Sequence, residues 1–171
     1  MPFRFTSLLS ALLLLGSAAA VDINFYNGSS APCGGQPVLT ISDARAATCY
    51  TAYETRATSA RVSSVPLGAG ARAFTDNCTS VASAANGDSC LPGGSNLRAV
   101  NWSYNIRGSG PSLVRRAPEA EPRFSVTYEQ PGGGFRAVEV PSGHVKRALE
   151  FVEARDYNAL AEYPTVSLDH I

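Results

Sequence analysis

Four cysteines, Cys33, Cys49, Cys78 and Cys90, fall within one stretch of the chain, and none lies outside it. An even set on a chain bound for an oxidising compartment reads as two disulfides, and such links restrict the accessible folds more than any other feature. The compartment follows from the first twenty residues. Arg4 gives a positive start, residues 8–15 are apolar apart from Ser10, and Ala18-Ala19-Ala20 places small residues ahead of Val21. That order is the pattern of a secretory signal, cut between Ala20 and Val21. The apolar run falls short of the roughly 20 residues of a spanning helix. The expectation is a secreted, extracellular protein with no membrane span. There is no C-x-x-C pair and no histidine between residues 21 and 143, so the thiols read as bridges and no metal or cofactor is expected.

Removal of the leader leaves about 150 residues, enough for one domain or for a small domain with an appendage. Net charge is zero, so no basic excess exists to hold nucleic acid or an anionic surface. Charged residues make up 16%, below the roughly 25% of an average soluble domain. Polar uncharged residues take their place. Three N-x-S/T sequons start at Asn27, Asn77 and Asn101 and become glycosylation candidates on a secreted chain. Asn27 lies in a Gly/Ser loop. Asn77 precedes Cys78 and competes with disulfide formation. Asn101 falls in a predicted strand, where its side chain must face outward to carry a glycan.

Residues 21–106 read as short strands between turns. Strands are predicted at residues 23–26, 37–41, 61–65, 71–74 and 99–106. In the last of these Val100, Trp102, Tyr104 and Ile106 alternate with polar or small residues, so this set should face a core, with Trp102 a core residue. A loose repeat relates the two halves of the region: Phe25 corresponds to Phe74, Cys33 to Cys78, Cys49 to Cys90 and Val62 to Val100. Each copy holds two cysteines, so of the three pairings open to four cysteines the repeat predicts Cys33–Cys49 and Cys78–Cys90 as local staples. Two such four-strand units would pack as Greek keys around one core.

Phe25-Tyr26, then Cys33-Gly34, Cys49 and Ser63-Ser64-Val65 resemble a βγ-crystallin-type motif. Phe74-Thr75-Asp76-Asn77-Cys78, then Gly87-Asp88-Ser89-Cys90 and Ala99-Val100-Asn101-Trp102 resemble a second. The pattern covers about half the chain and is similar to small secreted fungal proteins of that fold, relatives of killer-toxin-like and antimicrobial proteins. It implies a disulfide-stapled, two-motif Greek-key sandwich. Calcium-binding members carry an acidic or amide pair, two variable residues, then a hydroxyl pair. Here Ser63-Ser64 fits, but Ser59-Ala60 stands at the acidic pair, and Ala99-Val100 replaces the second hydroxyl pair. Asp76-Asn77-Cys78-Thr79-Ser80 is a near-match at another place, broken by Val81. Calcium needs several hard oxygen ligands, so no tight calcium site is expected.

Residues 107–122 read as a flexible linker holding the dibasic pair Arg115-Arg116 and three dipeptides ending in Ala or Pro. The pair resembles a substrate of kexin-type proteases, and the dipeptides resemble the trimmed spacer of yeast mating-factor precursors. A cut after Arg116 follows as an expectation. Residues 123–171 form a cysteine-free α+β tail: a hairpin from residues 124–128 and 135–140, then a helix with Ser142 as N-cap and Val145, Ala148, Leu149 and Val152 on one face. Such a tail would be marginal alone. It either docks on the cysteine region, serves as a pro-segment or is released.

No catalytic residue stands out. The two histidines, His144 and His170, both lie in the tail, so the cysteine region holds no Ser-His or Cys-His pair. Its acids mark out no pair for glycoside hydrolysis. The leading reading is a non-catalytic secreted protein that acts by binding, an effector or antimicrobial toxin-like factor. Its partner would be an extracellular target such as a cell-wall polysaccharide or a host or competitor surface protein. The alternatives are a cell-wall-associated structural glycoprotein and a precursor carrying a processed tail peptide.

Overall fold

The structure, a computed structural model, describes residues 20–28, 31–53, 55–104 and 120–168. The leader up to residue 19 and the Arg115-Arg116 pair lie outside the described residues. Val21 opens β1 (Val21–Tyr26) directly after Ala20, the predicted cut, and is fully buried. In β1, Val21, Ile23 and Phe25 alternate with Asp22, Asn24 and Tyr26, so the period-two pattern puts the apolar set on one face.

β2 (Leu39–Ala44), β3 (Tyr50–Thr51) and β4 (Ser59–Ser63) complete the first half. β5 (Ala69–Phe74), β6 (Val81–Asn86), β7 (Ser89–Pro92) and β8 (Ala99–Tyr104) form the second. The remaining elements are β9 (Arg123–Glu129), β10 (Phe135–Val140), α1 (Val145–Ala154), α2 (Tyr157–Leu160) and β11 (Thr165–Val166). The protein is thus mostly β, with two antiparallel sheets and a C-terminal helix. One sheet runs β11-β10-β9-β2-β1-β4-β7 and the other β3-β8-β5-β6.

The strand order carries an exchange. The third strand of the first half, β3, pairs with β8, and the third strand of the second half, β7, pairs with β4. Each half therefore lends one strand to the other's sheet. The hydrogen bonds repeat accordingly. The Thr58 amide donates to the Tyr26 carbonyl at 2.7 Å, and the Arg98 amide to that of Phe74 at 2.8 Å. The Gly93 amide donates to the Thr58 carbonyl at 2.9 Å, and the Ala52 amide to that of Arg98 at 2.7 Å. Cys33 and Cys78 share a left-handed backbone, with φ of 54° and 65°.

This register corrects the sequence correspondence. Tyr26 lies opposite Ser59 and Phe74 opposite Ala99, so Tyr26, not Phe25, is the counterpart of Phe74. Ile23 lies opposite Val62 and Ala71 opposite Trp102, so Val62 matches Trp102 rather than Val100. Matching aromatic to aromatic slipped the first strand by one residue, which moves a side chain to the other face of a sheet.

The disulfides are also corrected. They join Cys33 to Cys90 and Cys49 to Cys78, not Cys33 to Cys49 and Cys78 to Cys90. The strand exchange is the reason. Cys33 lies after β1, where its amide donates to the Ser59 hydroxyl at 2.8 Å, beside β4. The neighbour of β4 is β7, which carries Cys90 opposite Arg61. Cys49 travels with β3 into the other sheet and meets Cys78, which follows β5. Both Cα–Cα separations are 6.0 Å, within the usual range for a bridge. The correspondence of Cys33 to Cys78 and of Cys49 to Cys90 holds, and each bridge joins unlike positions of different copies.

The boundary between residues 21–106 and 123–171 does not separate two cores. β9 pairs with β2, Leu39 facing Val126 and Ile41 facing Phe124. β10 then pairs with β9, Val126 facing Val138 and Phe124 facing Val140. These side chains belong to the same core cluster as Ile23, Phe25, Val62, Leu91, Val100 and Trp102. The helices join this core: Tyr157 packs on Tyr128, with ring centroids 5.9 Å apart, while Val145, Ala148 and Leu160 are fully buried.

The predicted apolar face of α1 is present, with Leu149 and Val152 half-buried against the core. Its cap is not Ser142. A 3-10 turn spans Ser142–His144, and His144 occupies the cap position without a side-chain hydrogen bond. The hairpin turn between β9 and β10 places Gly133 and Gly134 at φ of 81° and 82°, where a Cβ would be strained.

Candidate functional site

The exchanged strands return through two connections, residues 52–58 and 93–98, which the paired hydrogen bonds above make equivalent. Ala57 matches Leu97, and both are buried. Arg56 matches Asn96, and Thr58 matches Arg98. Where the two connections meet, they enclose a cleft of about 250 Å³, closed on one side by Glu153 of α1. The remaining lining comes from Tyr53, Arg56, Ser95, Asn96, Leu97 and Arg98. The site thus lies between equivalent connections of the two halves. One helix of the tail makes it asymmetric.

Local backbone shapes this cleft. Tyr53 and Arg56 are left-handed, with φ of 49° and 53°, a conformation uncommon outside glycine, Asn and Asp. It turns the chain sharply after β3. Between them Thr55 is buried, and its hydroxyl has no hydrogen-bond partner among the described residues. The Arg56 and Arg98 side chains are exposed and, among the described residues, form no ion pair or hydrogen bond. Leu97 supplies a buried apolar floor. The cleft can accept a polar ligand through two guanidiniums, an amide, a hydroxyl and a phenol, with one carboxylate at its edge.

Other predicted site residues lie elsewhere. Asn27 and Asn77 are exposed. Asn101 lies on the opposite side of β8 from Trp102, but its carboxamide oxygen is buried and has no hydrogen-bond partner among the described residues. Trp102 is a core residue as predicted, and its Nε1 donates to the Ala44 carbonyl at 2.8 Å.

The acids hold turns and strand ends. Asp76 accepts from the Thr79 and Ser80 amides at 2.8 and 2.9 Å and from the Thr79 hydroxyl. Hydrogen bonds from Ser80, then Thr79, hold its carboxyl well below the usual carboxylate range. Asp88 accepts from the Val65 amide at 2.7 Å. Burial pushes the Asp22 carboxyl up. Asp43 is paired with Arg123 at 3.0 Å. Ser59, which stands where calcium-binding members carry an acidic or amide residue, is buried and its hydroxyl accepts from the Cys33 amide, and Ser63 ends β4. Among the described residues no three His, Cys, Asp or Glu side chains come together to hold a metal ion.

No protein-family model, curated protein or solved structure matches the chain. The cleft itself was not legible as a site in the sequence. Its residues form no motif, and two distant connections and a helix meet only in the folded chain. The local signal is one arginine in each connection, Arg56 and Arg98.

Proposed function

We propose that the protein is a secreted, non-catalytic binding protein, an effector or toxin-like factor, built on a two-motif Greek-key sandwich of βγ-crystallin-like type. The observation that carries this reading is the reciprocal strand exchange, cross-braced by two disulfides, with a polar cleft where the halves meet. The bridges are compatible with an oxidising extracellular setting, and among the described residues no helix is long and apolar enough to cross a membrane. A disulfide-braced scaffold whose cleft holds guanidiniums without a partner among the described residues suits recognition, because little ordering is needed on binding.

The test applies the purified full-length secreted protein to competitor and host cells. Surface binding with growth inhibition is expected. Retention on cell-wall material without any effect on growth would replace this reading with that of a structural glycoprotein, which the exposed Asn27 and Asn77 sequons favour. The placement of β9 inside the larger sheet speaks against a carrier that releases its tail.

A further inference from the structure

We propose that the cleft between the two connections binds an anionic sugar unit, a pyranose ring bearing a carboxylate or sulfate, within an extracellular polysaccharide. The inference rests on the reading of the protein as an extracellular binding protein and names what it binds. Arg56 and Arg98 line the cleft, and neither has an anionic partner among the described residues. Guanidinium is the side chain best suited to a planar or tetrahedral anion, since its donors form a fixed fork. Two such groups on one concave site, without an ion-pair partner among the described residues, favour negative charge.

The rest of the lining fits a sugar ring. Ser95 and Asn96 offer neutral donors and acceptors for ring hydroxyls, and Tyr53 and Leu97 offer apolar surface. The volume of about 250 Å³ lies just under the roughly 300–1,000 Å³ of common ligand sites, so it suits one ring rather than an extended segment. Glu153 sets the orientation. It repels the acidic group from the α1 side and leaves a carboxylate to accept from ring hydroxyls there. Glu153 comes from the tail, so the cysteine region and the tail build the site together.

The full-length, oxidised protein is titrated calorimetrically with oligogalacturonate, a sulfated oligosaccharide and an uncharged cello-oligosaccharide. Binding to an acidic probe, weakened by added salt, is expected, with the stronger of the two acidic probes identifying the acid. Arg98→Ala should weaken it by about tenfold or more, and Arg98→Lys should restore part of the loss. Glu153→Gln should tighten binding by about two- to fivefold, as expected for removal of one exposed like charge. That gain could not come from damage to the fold. Equal binding of the uncharged probe, or no response to either substitution, would overturn the assignment. So would failure of every oligosaccharide to bind while the protein still adheres to target cells, which would leave the binding function standing. Absence of both kinds of binding would end both readings.

Discussion

Asp76 and Asp22 perturb the acid side of the stability curve in opposite directions. Asp76 is held ionised by Ser80 and Thr79, so its folded carboxyl titrates below the ordinary value of 3.8. Its contribution is present above that value and is lost as the pH falls below it. Asp22 is raised by burial. Its cost is absent below its ordinary value and grows as the pH rises through its elevated folded value. Urea unfolding between pH 2 and pH 7 should therefore show Asp76→Asn flattening the loss of stability below about pH 4. Asp22→Asn should leave the acid end unchanged and raise stability at neutral pH. Trp102 is the other informative residue. The alternation of residues 99–106 places it in the core, because a period of two needs only local sequence. Its hydrogen bond to the Ala44 carbonyl joins residues far apart in the chain and has no local signature.

At the scale of elements, bulky alternation made several strands legible. β1, β8 and β9 each carry large apolar residues at every second position, and each was predicted. β6 is built mainly of small residues facing solvent, and β7 is four residues long and ends in proline. Neither carries enough apolar contrast to register. The strand β9 was recognised, but its partner was not. Its register against β2 buries Val126 and Phe124 in the common core, and all four cysteines precede it. A cut after Arg116 should thus give two chains with no covalent link that co-elute in native gel filtration and separate in denaturant. Val126→Asp, which buries an unpaired charge, should destabilise the intact protein by about 3 kcal/mol or more. It should also release the tail from the cut form. Dissociation of the wild-type cut form under native conditions would refute this account of the sheet.

At the scale of the whole molecule, the disulfides report the topology. Peptide mapping without reduction should recover Cys33 linked to Cys90 and Cys49 linked to Cys78. Bridges spanning 57 and 29 residues restrict the unfolded chain by about 4 kcal/mol and slightly less, respectively. Replacing both members of the longer bridge by alanine should cost about that amount in urea unfolding. The amino-acid sequence by itself determined the strand periodicity, the presence of two bridges, the kinship of Cys33 with Cys78 and of Cys49 with Cys90, and the apolar face of α1. All of these depend on residues near one another in the chain or on composition. Only the tertiary structure decided which cysteines meet, that the tail completes the larger sheet, and that Arg56, Arg98 and Glu153 share a cleft. The physical reason is the exchange of β3 and β7. Crossing between sheets is settled by the packing of one common core, and no pair of neighbouring residues encodes it.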